Sequence, residues 1–372
     1  MIVKNEKPLA FNTEATTAGL IRGFIDKYFI WKDYCNICQS TTTTSPVVEV
    51  SVTGIPCFHF TDLFRINSCQ DRLIAIDCLT EGIHSLNFFK GYAKDKKYII
   101  FSNGDWDKEY YNLPINYELI HSHWFLWEMA DIFNSPNRLH YYHDKTYNFD
   151  NKKPYSFIST IGYIRPDRDL LVNQLKQLHP RRNFVLKYAG QDLANSSDHL
   201  DVMLFRKGKF DPHDLYARGT FLDNPIAEKH YYNLWNSLPM NMYNSANFNL
   251  VVETDLDFQN EFFLTEKTIK ALMTGMPFVS VSHPLFLSRL HKLGFSTYNT
   301  LWDESYDQET DYKTRVNSII ELCDFLCDFD WISNRKELEL ISLKNRSNFM
   351  NLHQVAEKEF KNFEKIILEL SK

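Results

Sequence analysis

Residues 249–281, NLVVETDLDFQNEFFLTEKTIKALMTGMPFVSV, decide the fold of this 372-residue chain. Two short apolar runs, 249–253 and 278–281, have the length and composition of strands buried on both faces. Between them lie a polar loop, helical periodicity over 265–274 and a Gly-Met-Pro turn at 275–277. Strand, helix, strand is the unit of a parallel sheet, and open α/β folds bind ligands where strand carboxyl ends meet helix N-termini. That junction carries Glu253, Thr265, Glu266 and Lys267. Thr265 is the predicted N-cap, and a glutamate in the first turn suits the helix dipole. A lysine there does not, and an anionic ligand such as a diphosphate supplies a reason for Lys267.

The same grammar recurs upstream. Residues 155–161 read as a strand that runs into Gly162, Arg165, Pro166, Asp167 and Arg168. Asp167 is the expected cap of a helix to 178, whose apolar face is Leu170, Leu171, Leu175 and Leu178. Arginine's planar fork suits phosphate, so Arg165 and Arg168 are both candidates for an anionic group. A strand is expected at 184–188, and 191–230 is the least patterned part of the chain.

Further back, strand-like runs at 47–52, 72–76 and 97–102, with a helical stretch at 81–92, predict a parallel sheet. The polar segment 148–154, ending in Pro154, marks a domain boundary. The strand at 97–102 feeds a loop with Asn103, Asp105 and Asp107; Asp-x-Asp can hold a divalent ion, and Asn-Gly-Asp is also ordinary turn chemistry. Residues 119–143 are dense in aromatics and carry His121, His123, His140 and His143. His121 and His123 would share one strand face, where an imidazole can serve as a base or simply pack. Apolar positions 349, 352, 355, 360, 363, 366, 367 and 370 trace an amphipathic C-terminal helix.

Composition narrows the class. A net charge of −6 argues against a protein that grips a nucleic-acid backbone. The seven cysteines are an odd number, with Cys35 and Cys38 a lone C-x-x-C pair and Cys323 and Cys327 four apart on a helical stretch as core residues, and they read as reduced thiols rather than a disulfide or zinc framework. Neither an apolar leader nor an apolar run of spanning length occurs, so a cytoplasmic protein without a transmembrane segment is expected. Aromatics make up 15% of the chain, which filled cores explain, with ring platforms for a base or sugar as the alternative.

The pattern Glu253-Thr254-Asp255, then Phe263-Leu264-Thr265-Glu266-Lys267, a helix, and Gly275-Met276-Pro277 resembles the C-terminal domain of the α-1,3-fucosyltransferases. More widely it is similar to GT-B glycosyltransferases of bacteria, phages and large viruses. Two departures stand out: Thr254-Asp255 replaces the family's Asn-Ser, and Phe263 replaces its tyrosine. The likeness is good over the quoted stretch, faint over 155–310 and absent over 1–150.

The resemblance implies an α/β, GT-B-like fold of two Rossmann-like domains facing across a cleft. The acceptor-side domain would cover 1–150 and the nucleotide-sugar domain 151–345, with a C-terminal amphipathic helix over 346–372 crossing back to the first. It implies an inverting, metal-independent enzyme moving a sugar from a nucleotide-diphosphate donor to a glycan or other hydroxyl acceptor. GDP-fucose is the nearest family donor and UDP-sugars stay open; the donor is a co-substrate, and no separate cofactor is implied. Glu266 would take the ribose, while Lys267 and Arg168 (or Arg165) would neutralise the diphosphate. Thr265, capping the helix, would belong to the same donor-binding set, and Glu253 would contact the donor sugar or orient Lys267. The catalytic base would come from His121, His123 or Asp105. Competing readings are a sugar-phosphate epimerase, a non-catalytic nucleotide- or carbohydrate-binding module, and a phage-type DNA-modifying glycosyltransferase, the last disfavoured by the acidic charge.

Overall fold

The computed structural model describes residues 29–31, 55–59, 63–78, 86–104, 113–123, 126–127, 146–150, 152–161, 166–188, 191–194, 240–254, 256 and 262–370. Two five-stranded sheets organise them. The first contains β1 (Phe29–Trp31), β2 (Ile55–His59), β3 (Leu73–Cys78), β4 (Lys97–Ser102) and β5 (Asn116–His121), side by side in that order and all parallel. Short helices α1 (Leu63–Ser68) and α2 (Leu86–Phe89) lie on the β2–β3 and β3–β4 crossovers. Ile74, Ala75 and Ile76 of β3 and Tyr98, Ile99, Ile100 and Phe101 of β4 are all buried, as a parallel sheet covered on both faces requires. Lys96, also buried, donates to the carbonyls of Ile66, Asn67 and Cys69. It thereby places a cation on the negative end of α1.

The second sheet contains β6 (Tyr155–Ile161), β7 (Val185–Tyr188), β8 (Gln191–Ala194), β9 (Ala246–Val252) and β10 (Phe278–Val281). Its spatial order is β10-β9-β6-β7-β8, and only β8 is antiparallel. Helix α3 (Pro166–Leu178) joins β6 to β7, α4 (Met240–Tyr243) precedes β9, and α5 (Glu266–Thr274) joins β9 to β10. Then follow α6 (Phe286–Lys292), α7 (Tyr312–Cys327) and α8 (Arg335–Leu370). The chain leaves β6 toward β7 on one side and leaves β9 toward β10 on the other. The carboxyl ends of β6 and β9 therefore form a topological switch point, the place where open sheets accept ligands.

The quoted stretch folds as its residues dictate. Thr265 caps α5, and Gly275 ends it in the left-handed region at φ 73°. Glycine is required there a second time: a Cβ at 275 would lie 1.7 Å from Ser342 Oγ on α8. Every residue from Thr268 to Thr274 is buried, because α5 is enclosed rather than lying on a surface. The aromatics fill the core, with Phe157 stacked on Phe184 at 4.3 Å and on Phe248 at 5.0 Å.

Several boundaries differ from expectation. The helix after β6 begins at Pro166, so Asp167 lies in its first turn rather than capping it; proline is favoured at that first position. β9 starts three residues before 249. Within 81–92 the described helix is Leu86–Phe89 alone. β5 ends at His121, so His123 lies beyond the strand and does not share its face. The last helix is continuous from Arg335, and a division at 346 falls inside it. Among the described residues no helix is long and apolar enough to cross a membrane. Asp105, Asp107, Arg165, His140, His143, Cys35, Cys38 and the expected strand at 47–52 lie outside the described residues.

Candidate functional site

Glu253 follows β9 directly, and its amide donates to the Val281 carbonyl at 2.9 Å, which continues the β9–β10 ladder past the last strand residue. The carboxylate turns onto the start of α5. Oε2 accepts from the Thr265 hydroxyl, and Oε1 accepts from the Thr268 hydroxyl at 2.6 Å and the Thr268 amide at 3.3 Å. The Lys267 amide donates to Thr265 Oγ1 at 3.4 Å. Two first-turn amides thus already have acceptors within the chain. Glu253 has no exposed surface, and burial raises its pKa against the lowering pull of Lys267, Thr265 and Thr268.

Lys267 holds its ammonium over the same junction. Nζ lies 3.2 Å from Thr254 Oγ1, 3.1 Å from Thr265 Oγ1 and 3.2 Å from Glu266 Oε1, with the side chain 31% exposed. Burial works against ionisation of Glu266, but Lys267 and Lys270 outweigh it and hold the carboxyl below its ordinary value. One turn on, burial lowers the Lys270 ammonium to about 8 despite Glu266. Arg168 comes from α3 across the switch point. It is buried, and its Nη2 donates to the carbonyls of Glu253 at 3.0 Å and Thr254 at 3.5 Å. The guanidinium therefore braces the backbone at the end of β9. Arg315 on α7 pins the following loop by donating to the Leu256 carbonyl. The structure thus gathers Arg168, Glu253, Thr265, Glu266 and Lys267 in one place.

The carboxyl edge of the first sheet reaches the same segment. Asn103, just past β4, donates its Nδ2 to the Leu264 carbonyl at 3.0 Å. His121 lies at the end of β5, with Nε2 3.0 Å from the Asn103 carbonyl, so that nitrogen carries the proton. Burial first, then His123 and Arg289, push His121 well below the ordinary imidazole range, although the Asn103 carbonyl pulls the other way. The His123 ring packs edge-on against His121 at 4.4 Å and Phe262 at 5.6 Å. Behind Phe262, His283 accepts the Phe263 amide on Nε2 at 3.3 Å, and its Nδ1 faces the Pro284 carbonyl at 3.1 Å. That pair of partners makes His283 a neutral, structural imidazole.

Comparison with protein-family models, curated proteins and solved structures finds no match for this chain. What fold and site define is an α/β protein with two parallel-strand sheets and a charged cluster at the switch point of the second. Sequence reasoning missed Thr268 and Lys270. Both were findable, lying three residues beyond the Thr265 cap and four beyond Glu266, which are helical neighbours. It also missed Glu359, which no local pattern connects to the site.

Proposed function

We propose that this chain is a GT-B-type glycosyltransferase that binds a nucleoside-diphosphate sugar at the carboxyl ends of β6 and β9 and transfers the sugar to a hydroxyl acceptor. One observation carries the reading: Lys267, partly exposed, stands with Glu266 at the start of α5, at the switch point where open sheets bind ligands. The ammonium meets the diphosphate and stabilises its charge as it leaves. Because Thr265 and Glu253 already occupy the Lys267 and Thr268 amides, phosphate oxygens meet side-chain cations rather than bare helix amides. Glu266, kept ionised by its lysines, accepts hydrogen bonds from ribose hydroxyls. Glu253 orients Lys267 through the Thr265 hydroxyl that both touch. Arg168 shapes the strand-end backbone and adds positive potential.

The acceptor oxygen attacks the anomeric carbon, its proton passes to an imidazole of the first sheet, and the bond to the diphosphate breaks with inversion. In this reading Lys267 and Arg168 do the work that a divalent ion does in other transferases. A GDP-sugar, by resemblance GDP-fucose, is the first donor to try, with UDP-sugars next. The test is a thermal-shift panel of GDP, UDP, CMP, dTDP and their sugars, with and without EDTA, on wild type and Lys267→Ala. One nucleotide should raise the melting temperature regardless of EDTA, and the variant should bind it about ten-fold or more weakly. If no nucleotide protects the wild type, the reading fails; a shift that EDTA abolishes would replace it with a metal-assisted one.

A further inference from the structure

Glu359, on the C-terminal helix α8, lies 232 residues beyond Trp127 in the chain, yet its Oε1 accepts the Trp127 indole N–H at 3.1 Å. Its other oxygen lies 3.7 Å from His123 Nδ1. The two side chains are only 15% and 19% exposed, so this is not a solvated surface pair. Trp127 is fully buried and fixes the carboxylate. The His123 ring is confined by His121, Phe262 and Trp127, at 4.4, 5.6 and 6.0 Å. With Nδ1 turned to the carboxylate, Nε2 is the nitrogen left for a substrate.

We infer that Glu359 is a positioning residue for His123, and that His123 is the group that takes the proton from the acceptor hydroxyl. The inference rests on the glycosyltransferase reading. The contact between Glu359 and His123 is longer than a hydrogen bond, and closing it in the substrate complex would fix the Nδ1–H tautomer and set a negative charge behind the imidazolium formed on proton transfer. The acceptor O–H bond breaks to Nε2, the acceptor oxygen bonds the anomeric carbon, and the diphosphate leaves with the electron pair of the old bond. His121 is differently engaged, since it gives its Nε2–H to the Asn103 carbonyl. Among the described residues the ionisable groups facing His123 are His121 from β5, Glu359 from α8 and, across the Phe262 ring, Arg289 from α6 at 5.7 Å from that ring.

Glu359→Gln tests the pairing, because the amide oxygen still accepts from Trp127 while the charge is lost. Glu359→Gln should lower kcat for sugar transfer about ten-fold while the donor KM stays within about two-fold. Glu359→Asp, which keeps the charge on a shorter arm, should recover part of that loss, and it stands in if the glutamine variant does not fold. His123→Gln should lower kcat by about 100-fold or more, and adding Glu359→Gln to it should lower kcat no further. An unchanged kcat in Glu359→Gln, or a further loss in the double variant, overturns the pairing. An active His123→Gln overturns His123 as the base. A protein that binds no nucleotide in the thermal-shift panel overturns the transferase reading on which the inference rests.

Discussion

Glu304 lies in the loop before the last two helices, where its carboxyl accepts from the Thr297 hydroxyl and, at 3.0 Å, from the Tyr298 amide. Burial pushes its pKa up to about 7 from 4.5, and those hydrogen bonds pull the other way without winning. A raised folded-state pKa means that the folded protein holds the proton more tightly than the unfolded chain. The stabilisation is therefore complete below the unfolded value of 4.5 and is lost as pH rises through about 7. Wild type should lose about 2 kcal/mol between pH 5 and 8 relative to Glu304→Gln, a discounted figure from 1.36 kcal/mol per pH unit. Denaturant titrations of both proteins at the two pH values check this; a difference that does not change with pH would show that Glu304 is ionised throughout. Such behaviour was not legible in the sequence. Residues 299–307 are simply acidic and aromatic in sequence, and only the half-buried position of Glu304 against Thr297 and Tyr298 distinguishes it from the exposed Asp303 beside it.

Helix α5 shows what one element can disclose about itself and what only its neighbour discloses. Its cap, its glycine stop and its strand partners are local signals, and each is where the residues indicated. The start of α8 was hidden for a physical reason. Its buried stripe runs Leu338, Ile341, Ser342, Asn345, Phe349 and Leu352, with the spacing of a helix face but with polar residues at two core positions. Ser342 faces Gly275, and Asn345 exchanges hydrogen bonds with the Ser296 backbone at 2.7 and 2.9 Å. Hydrophobic periodicity cannot register a stripe that is polar by design of its contacts, so the apolar pattern emerges only from 349. Gly275→Ala tests that packing. The new methyl would require a left-handed alanine and displacement of Ser342, and should cost about 2–3 kcal/mol. Gly275→Ala with Ser342→Gly should recover part of the loss in a denaturant melt. Full recovery would assign the whole cost to the clash, and no recovery would assign it to the backbone.

At the scale of the whole molecule, the two sheets meet through contacts with no short-range signature: Asn103 with Leu264, His123 with Phe262, and Trp127 with Glu359. β3, β4, β6, β7, β9 and β10 were readable from alternating strands and helices, whereas the short strands β1, β2 and β8 were missed. The register between distant parts was not readable either, because it depends on which buried faces find each other. The C-terminal helix makes this concrete. Its first half is tied to the second sheet's layer by Arg346 to the Met273 carbonyl and Asn348 to the Leu293 carbonyl. Its second half carries Glu359 to the first sheet's edge and buries Phe360, Phe363 and Ile367. Ile367→Asp places a charge where no surface is exposed, at a cost of several kcal/mol that the tail can avoid by leaving its site. The first half has its own anchors, so the helix should separate locally rather than carry the second sheet with it. Trypsin should then cut early at Lys361 and Lys365 in the variant while 262–349 stays intact, and the nucleotide-dependent thermal shift should persist. Simultaneous cleavage throughout the chain would mean that the tail and the second sheet unfold as one unit, and that the two halves of α8 are not separable.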